Sequence, residues 1–183
     1  MAAHPAVTGL VLVCGGNRTE CEAIAARCTK PCTVVQGGAT RADSVRSGLA
    51  AAEGELVAIH DAARPFVSKA VIDAALTAAA ADGAAPGWID LAGMKSPGLS
   101  AAPAVAVKDT IKIADGAGRV AATPDRASLY AVQTPQCFRR SLYLQALSAV
   151  TGEKASLVTD DCSLFELAGL PVTLTKGDYA NYK

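Results

Sequence analysis

Short apolar, β-branched runs alternate along this chain with alanine-rich stretches of helical period, and this alternation limits the fold more than any other feature. Residues 7–13 form an apolar run that ends at two glycines, and residues 56–59 form another. Between them, Val45, Leu49 and Ala52 recur at helical spacing. Alternating strands and helices are typical of βαβ units, so we predict an α/β fold with helices on a largely parallel sheet.

The same patterns predict the other elements of a single domain over residues 1–183. Strands are expected at residues 7–13, 33–35, 56–59, 104–107 and 172–175, with an extended piece at 110–115. Helices are expected at residues 20–28, 42–52, 68–81, 140–150 and 160–168. Residues 83–100 hold two prolines and four glycines without a sustained period, so we interpret them as an inserted loop.

The composition of the chain limits the kinds of molecule that it is expected to bind. The chain has 17 basic and 17 acidic side chains, and this balance argues against nucleic acid or an anionic membrane as a partner. No apolar run approaches the length of about 18 residues that a membrane-spanning helix needs, so we expect a cytoplasmic protein. The six cysteines contain no C-x-x-C pair and the chain has two histidines, so we predict no metal site. Because 4% of the residues are aromatic, we expect a core built mainly from Val, Ile, Leu and small residues.

The first polar cluster follows the strand predicted at residues 33–35. Gly37 and Gly38 precede a predicted helix, and Arg41 and Ser44 lie in its first turn. Two glycines let a ligand approach the backbone, and free N–H groups of the helix can bind an anion or a carbonyl group. A simple turn is the alternative interpretation.

The second cluster, His60 to Pro65, follows the strand predicted at residues 56–59. Asp61 can bind a hydroxyl group or a hydrated cation, and Arg64 can bind a phosphate group. The alternative is that Asp61 and Arg64 form a partly buried ion pair that fixes the loop. We interpret His60 as a structural side chain rather than a base.

A third group of polar residues is spread along the second half of the chain. Its hydroxyl, guanidinium and ammonium groups suit a phosphorylated polyol better than an apolar ligand. Turns, helix caps and surface pairs are the alternative interpretations. The members of this group are Lys108, Asp109, Thr110 and Lys112, then Asp125 and Arg126, Thr134 to Gln136, Thr159 to Asp161, and Asn181 to Lys183.

Six ordered stretches over residues 34–183 resemble one family, the cytidylyltransferases that act on 2-C-methyl-D-erythritol 4-phosphate in the non-mevalonate isoprenoid pathway. They read GGATRADSVRSGL, VAIHDAARPFV, VAVKDTIKIAD, TPDRASLYAVQTPQCF, VTDDCS and GDYANYK. The resemblance implies a Rossmann-like nucleotidyltransferase (GT-A-like) three-layer sandwich. It also implies a homodimer whose extended arm, residues 108–130, crosses to the partner. Ribitol 5-phosphate cytidylyltransferases share much of the pattern, and a non-catalytic homologue that keeps the polyol-phosphate pocket is a further alternative.

The resemblance also implies roles for individual residues. Asp61, Arg64 and Lys183 would act in catalysis. The nucleotide CTP would contact Gly38, Arg41, Ser44, Asp61 and Ala62. The polyol phosphate would bind Arg64, Thr134, Thr159 and Lys183 of one subunit, with Thr110 and Arg126 from the partner.

The implied reaction is an in-line attack of the substrate phosphate on the α-phosphorus of CTP, which releases pyrophosphate. Such a reaction needs no protein nucleophile, because holding two anions together and neutralising their charge is sufficient. Mg²⁺ would be held mainly by the CTP phosphates.

The chain departs from the family pattern near its N-terminus. Family members begin with a strand, a glycine-rich loop that bears an arginine, and a Pro-Lys-Gln segment, which together wrap the triphosphate. Cys14 to Arg18 is glycine-rich, but it follows the run that resembles the second strand of the family. The chain also ends at Lys183, where the family continues into a helix. We therefore expect an N-terminally truncated member, which leaves a plastid as the alternative compartment because a transit peptide would be lost with that segment.

These 183 residues alone are expected to bind CTP weakly and to transfer little cytidylyl group, because the triphosphate loop is missing. The measurement is pyrophosphate release from CTP, Mg²⁺ and 2-C-methyl-D-erythritol 4-phosphate. Release at a rate typical of the family would contradict the expectation.

Overall fold

A computed structural model describes residues 1–81 and 99–183. The inserted loop predicted at residues 83–100 lies outside the described residues except for its last two. Ser100 already belongs to a strand, so the predicted loop extends too far at that end.

Nine strands and five α-helices are formed by the described residues. The strands are β1 (Leu10–Cys14), β2 (Cys32–Gln36), β3 (Leu56–Ile59), β4 (Ser100–Ala106), β5 (Ile113–Ala114), β6 (Val120–Ala122), β7 (Tyr130–Val132), β8 (Gln136–Arg139) and β9 (Thr173–Lys176). The helices are α1 (Arg18–Ala25), α2 (Arg41–Ala51), α3 (Lys69–Ala80), α4 (Arg140–Ala149) and α5 (Asp161–Leu167). Short 3₁₀ turns occupy Arg126–Ser128 and Gly152–Leu157.

The predicted helices and the main predicted strands are present, with shifted ends. β3 matches its predicted bounds, and α3 begins after Ser68, whose hydroxyl accepts the N–H of Val71. β1 starts three residues later than predicted, at Leu10. β6, β7 and β8 were not predicted, since strands of three or four residues are too short to show a period.

The strands form a parallel pair, a five-stranded sheet and a small hairpin. β1 pairs with β2 in parallel, and β5 pairs with β6 in the hairpin. In the larger sheet β8 lies between β3 and β4 and is antiparallel to both, β7 is antiparallel to β4, and β9 is parallel to β4. The α/β class is confirmed. β3, β4 and β9 share one direction as expected for a mainly parallel sheet, whereas β7 and β8 run the other way.

Two clusters of buried side chains make the core. Phe138, Tyr143 and Phe165 pack with ring centroids 4.5–5.8 Å apart, next to Leu49 and Val57. The other seven buried members of this cluster are aliphatic, alanine or cysteine side chains, so the expectation of a core made mainly of aliphatic and small residues is confirmed, with three aromatic rings packed among them.

The second cluster is made of small side chains. Ala75, Ala78 and Ala79 of α3 pack against Ala101 and Cys137 of the sheet. This cluster accounts for the alanine-rich helical pattern, because only small side chains let a helix approach a sheet so closely.

The state of the cysteines and the length of the helices bear on the predictions about thiols and about membrane-spanning segments. All six cysteines are free, and burial raises the pKa of Cys137 to about 12. Among residues 1–81 and 99–183, no helix is both long enough and apolar enough to cross a bilayer.

Candidate active site

A cleft of about 280 Å³ opens where β3 ends and where β7 is succeeded by β8. Three cationic and two carboxylate side chains face it, together with two threonine hydroxyl groups. Its lining consists of Arg41, Asp61, Arg64, Val132, Thr134, Gln136, Thr159, Asp160 and Lys183. This position, outside the carboxyl end of a strand, is where α/β sheets bind ligands.

Asp61 holds a cation on one wall of the cleft. Its Oδ2 lies 3.0 Å from the Nζ of Lys183, whose side chain is 62% exposed. The same oxygen lies 3.8 Å from the Nε of Arg64, which is too long for a hydrogen bond. Arg64 Nε is buried and has no hydrogen-bond partner. A separation of 3.8 Å still makes an ion pair, so Asp61 and Arg64 form the partly buried pair considered above. Both side chains also line the cleft.

The C-terminal segment is anchored by Asn181, which is fully buried. Its Nδ2 donates to the carbonyl of Thr134 at 2.9 Å, and its own carbonyl accepts from Nη1 of Arg64 at 2.7 Å. These bonds fix the backbone two residues before Lys183, so the lysine is delivered to Asp61 although it ends the chain.

The N-terminal end of α2 is a tightly bonded turn. Thr40 and Asp43 form a capping box, and Ser44 Oγ accepts the N–H of Gly38 at 3.2 Å while donating to the carbonyl of Thr40. A Cβ on Gly38 would lie 2.2 Å from the Cβ of Asp43, so this position needs glycine. The two glycines therefore serve a close approach within the chain itself.

A buried carboxylate ties α2 to two other helices. Both oxygens of Asp161 accept from Arg41, Oδ1 from Nη1 at 3.2 Å and Oδ2 from Nη2 at 2.5 Å, and Oδ1 accepts from the hydroxyl of Tyr143 at 2.5 Å. The hydrogen bond to Asp161 raises the pKa of Arg41. Burial raises the pKa of Tyr143, so its phenol remains a donor. Arg41 is thereby fixed at the edge of the cleft.

Gln136 joins the sheet to the start of α5. Its Nε2 donates to Oδ2 of Asp160 at 2.7 Å, and its Oε1 accepts the N–H of Cys162 at 3.1 Å. Asp160 also caps α5 by accepting the N–H of Ser163. Thr159, the residue before this cap, is held at the cleft by the same arrangement.

His60 connects two walls of the cleft through both of its ring nitrogens. Nε2 lies 3.0 Å from the carbonyl oxygen of Arg64, and Nδ1 lies 3.0 Å from Oγ1 of Thr134. Thr134 Oγ1 in turn accepts the N–H of Asp61 at 3.0 Å. Burial lowers the pKa of His60, which favours the neutral ring near pH 7.

The structure brings together six of the residues predicted from the sequence. Those that line the cleft are Arg41, Asp61, Arg64, Thr134, Thr159 and Lys183. Gly38 and Ala62 lie on adjoining loops and Ser44 lies in the first turn of α2, and none of the three lines the cleft. The roles assigned to all of these residues stay predictions.

Thr110 and Arg126 lie on the arm and are not part of the lining of the cleft of their own chain. Arg126 donates to the carbonyl of Lys108 at 2.9 Å, and both Thr110 and Arg126 are exposed. Their predicted contact with a partner's site stays a prediction as well.

Several residues of the site had no individual role predicted. Gln136 and Asp160 line the cleft, while Asp161, Tyr143 and Asn181 hold residues that do. All except Tyr143 belong to the third polar group noted in the sequence, and Asp160 caps a helix as the alternative interpretation of that group expected. Tyr143 lies on a helix with no polar pattern, and no sequence signal identifies it.

The side chains that could bind a metal ion without the nucleotide are the carboxylates of the cleft. No group of three His, Cys, Asp or Glu side chains suited to a metal ion exists among the described residues. Asp61 is paired with Lys183, and Asp160 accepts from Gln136 and Ser163. Both carboxylates of the cleft are therefore already engaged by donors of the protein.

Comparison with known proteins assigns the class of this fold. A solved 4-diphosphocytidyl-2C-methyl-D-erythritol synthase from Anaerococcus prevotii superimposes with a TM-score of 0.77 at 29% identity, covering 97% of this chain and 75% of that one. Together with the cleft at the end of β3, this similarity defines a Rossmann-like nucleotidyltransferase fold.

Sequence relatives identify the family. The profile of 2-C-methyl-D-erythritol 4-phosphate cytidylyltransferase (IspD) matches residues 1–183. An enzyme of that name from Desulforamulus reducens is 42% identical over 185 residues, which cover 98% of this chain and 72% of the relative. The bifunctional enzyme IspD/IspF of Anaeromyxobacter dehalogenans is 46% identical over 187 residues, and this chain spans 44% of its length. The chain belongs to the 2-C-methyl-D-erythritol 4-phosphate cytidylyltransferase family.

Replacing Asp161 by asparagine is expected to lower the free energy of unfolding by about 1–3 kcal/mol, because the buried acceptor of Arg41 and Tyr143 loses its charge. The control is Glu22→Gln, which changes the same group in an exposed ion pair with Arg18 and should cost less than about 0.5 kcal/mol. Urea unfolding of both variants measures the difference. Equal losses would show that the buried network does not hold α2 in place.

Proposed function

We propose that this chain forms the polyol-phosphate half of a site for cytidylyl transfer from CTP to 2-C-methyl-D-erythritol 4-phosphate. The observation that carries the proposal is the cleft itself, in which Arg41, Arg64 and Lys183 face two threonine hydroxyl groups. Cations suit a phosphate group, and hydroxyl groups suit a polyol. Membership of the family supplies the nucleotide and the reaction.

In the proposed reaction a phosphate oxygen of the polyol phosphate attacks the α-phosphorus of CTP. A new P–O bond forms, the bond between the α-phosphorus and the bridging oxygen breaks, and pyrophosphate leaves with that oxygen. The contribution of this chain is to orient the attacking phosphate and to neutralise charge between the two anions. Lys183 and Arg64 carry this role, while Asp61 keeps the lysine ammonium over the cleft.

Mg²⁺ is proposed to enter as a complex with the CTP phosphates. The carboxylates of the cleft are already engaged by Lys183, Gln136 and Ser163, which is consistent with a metal carried by the nucleotide. No step performed by the residues of this chain requires them to bind the ion.

We further propose that the arm, residues 108–130, serves a homodimer. Ile113 and Val120 of the β5–β6 hairpin are 52% and 62% exposed, and Ile111 beside them is 41% exposed. Apolar side chains on a two-stranded hairpin are unfavourable in water unless another surface covers them. A second copy of the chain is the proposed cover, with Thr110 and Arg126 directed toward its cleft.

Lys183→Met is expected to weaken binding of 2-C-methyl-D-erythritol 4-phosphate by about tenfold, because one charge-assisted bond to the phosphate is lost. Lys183 is largely exposed, so the fold should be unaffected. Lys154→Met changes an exposed lysine that does not line the cleft, so it is the matched control and should leave the affinity within about twofold. Isothermal titration calorimetry measures both.

Ribitol 5-phosphate and inorganic phosphate are titrated in parallel. The proposal is contradicted if either binds as tightly as the methylerythritol phosphate, or if the two lysine variants behave alike. Transfer itself is assayed as pyrophosphate release by the longest translation product of the gene, and absence of release there would favour a non-catalytic binding protein.

Whether two chains share one site is tested by mixing two variants that each bind the polyol phosphate weakly. Arg64→Met and Arg126→Met are each expected to weaken polyol-phosphate binding, the first in the cleft and the second on the arm. In a mixed dimer one cleft has both arginines intact, so random exchange should restore about a quarter of the binding sites. If no binding sites are recovered although subunit exchange has been verified, each site is built from one chain.

A further inference from the structure

His60 adjoins the cleft described above, and the proposed reaction gives it no role. Its ring lies behind the lining rather than in it, and both nitrogens are hydrogen bonded. The partner of Nε2 is the backbone carbonyl of Arg64, and the partner of Nδ1 is the hydroxyl of Thr134. These two partners determine where the proton of the ring lies.

The direction of each hydrogen bond follows from the chemistry of the partners. A carbonyl oxygen only accepts, so Nε2 must carry the proton and donate to Arg64. In the neutral ring Nδ1 is then a bare acceptor, and the hydroxyl of Thr134 must donate to it. The surrounding charges are Asp61, Arg64 and the amino group of Met1, and burial has the largest influence on the ring.

The number of hydrogen bonds that the Thr134 hydroxyl can still make to a ligand follows from these directions. It has one proton and two lone pairs. The proton goes to His60, and one lone pair accepts the N–H of Asp61 at 3.0 Å. A single lone pair is left on a side chain that lines the cleft and is 6% exposed.

We propose that His60 is a positioning residue that makes Thr134 an acceptor-only contact, so that Thr134 receives a hydrogen bond from a hydroxyl group of the polyol and disfavours a phosphate oxygen. This inference rests on the proposed function for the identity of the ligand. It assigns the two ends of the ligand to different walls, with the phosphate toward Arg64 and Lys183 and the hydroxyl groups toward Thr134. Substrate selection then depends on a side chain that never touches the substrate.

Two substitutions of His60 each keep one of its two hydrogen bonds and remove the other. The amide oxygen of asparagine can take the place of Nδ1 and accept from Thr134, whereas glutamine reaches the position of Nε2 and can donate to Arg64. His60→Asn therefore keeps Thr134 as an acceptor toward the ligand, and His60→Gln frees the hydroxyl proton. A merely structural role of His60 would not distinguish the two variants in this way.

The first measurement is the tautomer of His60 by long-range ¹H–¹⁵N correlation NMR of the full chain at neutral pH. The chain contains two histidines, so the spectrum of either variant assigns the His60 signals. We expect a protonated Nε2 and an unprotonated Nδ1. A ring protonated at Nδ1, alone or together with Nε2, would overturn the inference without reference to any substrate.

The second measurement is the ratio of affinities for 2-C-methyl-D-erythritol 4-phosphate and inorganic phosphate by calorimetry. His60→Asn should keep the ratio within about twofold, and His60→Gln should lower it by about three- to tenfold, since one hydrogen bond to a hydroxyl group is lost. Thermal melts show that both variants are folded. Equal changes in both, or no change in His60→Gln, would overturn the inference.

The two proposals fail in different ways. If the tautomer is as expected but the wild-type chain does not bind the polyol phosphate, the proposed function is wrong, and the acceptor character of Thr134 stands for whatever ligand the cleft holds. If the polyol phosphate binds and both histidine variants keep the affinity ratio, the proposed function survives and the role of His60 does not.

Discussion

The buried carboxylate of Asp161 is the interaction on which the rest of the structure depends. It is fully buried, and it draws Arg41 of α2 and Tyr143 of α4 to the start of α5. Within the described residues the β1–β2 pair shares no strand hydrogen bonds with the five-stranded sheet. The ion pair and the packing of Leu49 beside Val57 therefore connect α2, which contacts β1 and β2, to the main core.

The same connection explains how a neutral chain builds a local cation site. A buried carboxylate is costly unless it is paired and hydrogen bonded. Asp161 meets that requirement through Arg41, whose guanidinium consequently lines the cleft. Lys183 is held by Asp61 in a similar way. These two cations are each paired with a carboxylate, and Arg64 is held by the backbone carbonyl of Asn181. The cleft thus gathers three cationic side chains although the whole chain has a net charge of zero.

Much of the site could be predicted because its residues lie at element ends, where sequence signals are strongest. Gly38, Asp61 and Thr159 each follow or precede a predicted strand or helix, and the resemblance to a family gave them roles. The network behind them could not be predicted. The partners of Asp161 are 18 and 120 residues away in the chain, and no local period relates residues so far apart.

The sequence by itself determined the α/β class, the positions of β3 and α3, and the family, because periodicity and ordered motifs are local properties. Only the tertiary structure decided that β8 runs antiparallel between β3 and β4, since strand direction depends on pairing between distant segments. It also decided the two partners of the His60 ring, on which the proposed position of the ring proton rests. The carbonyl of Arg64 lies at one nitrogen and the hydroxyl of Thr134 at the other, and Thr134 lies 74 residues along the chain.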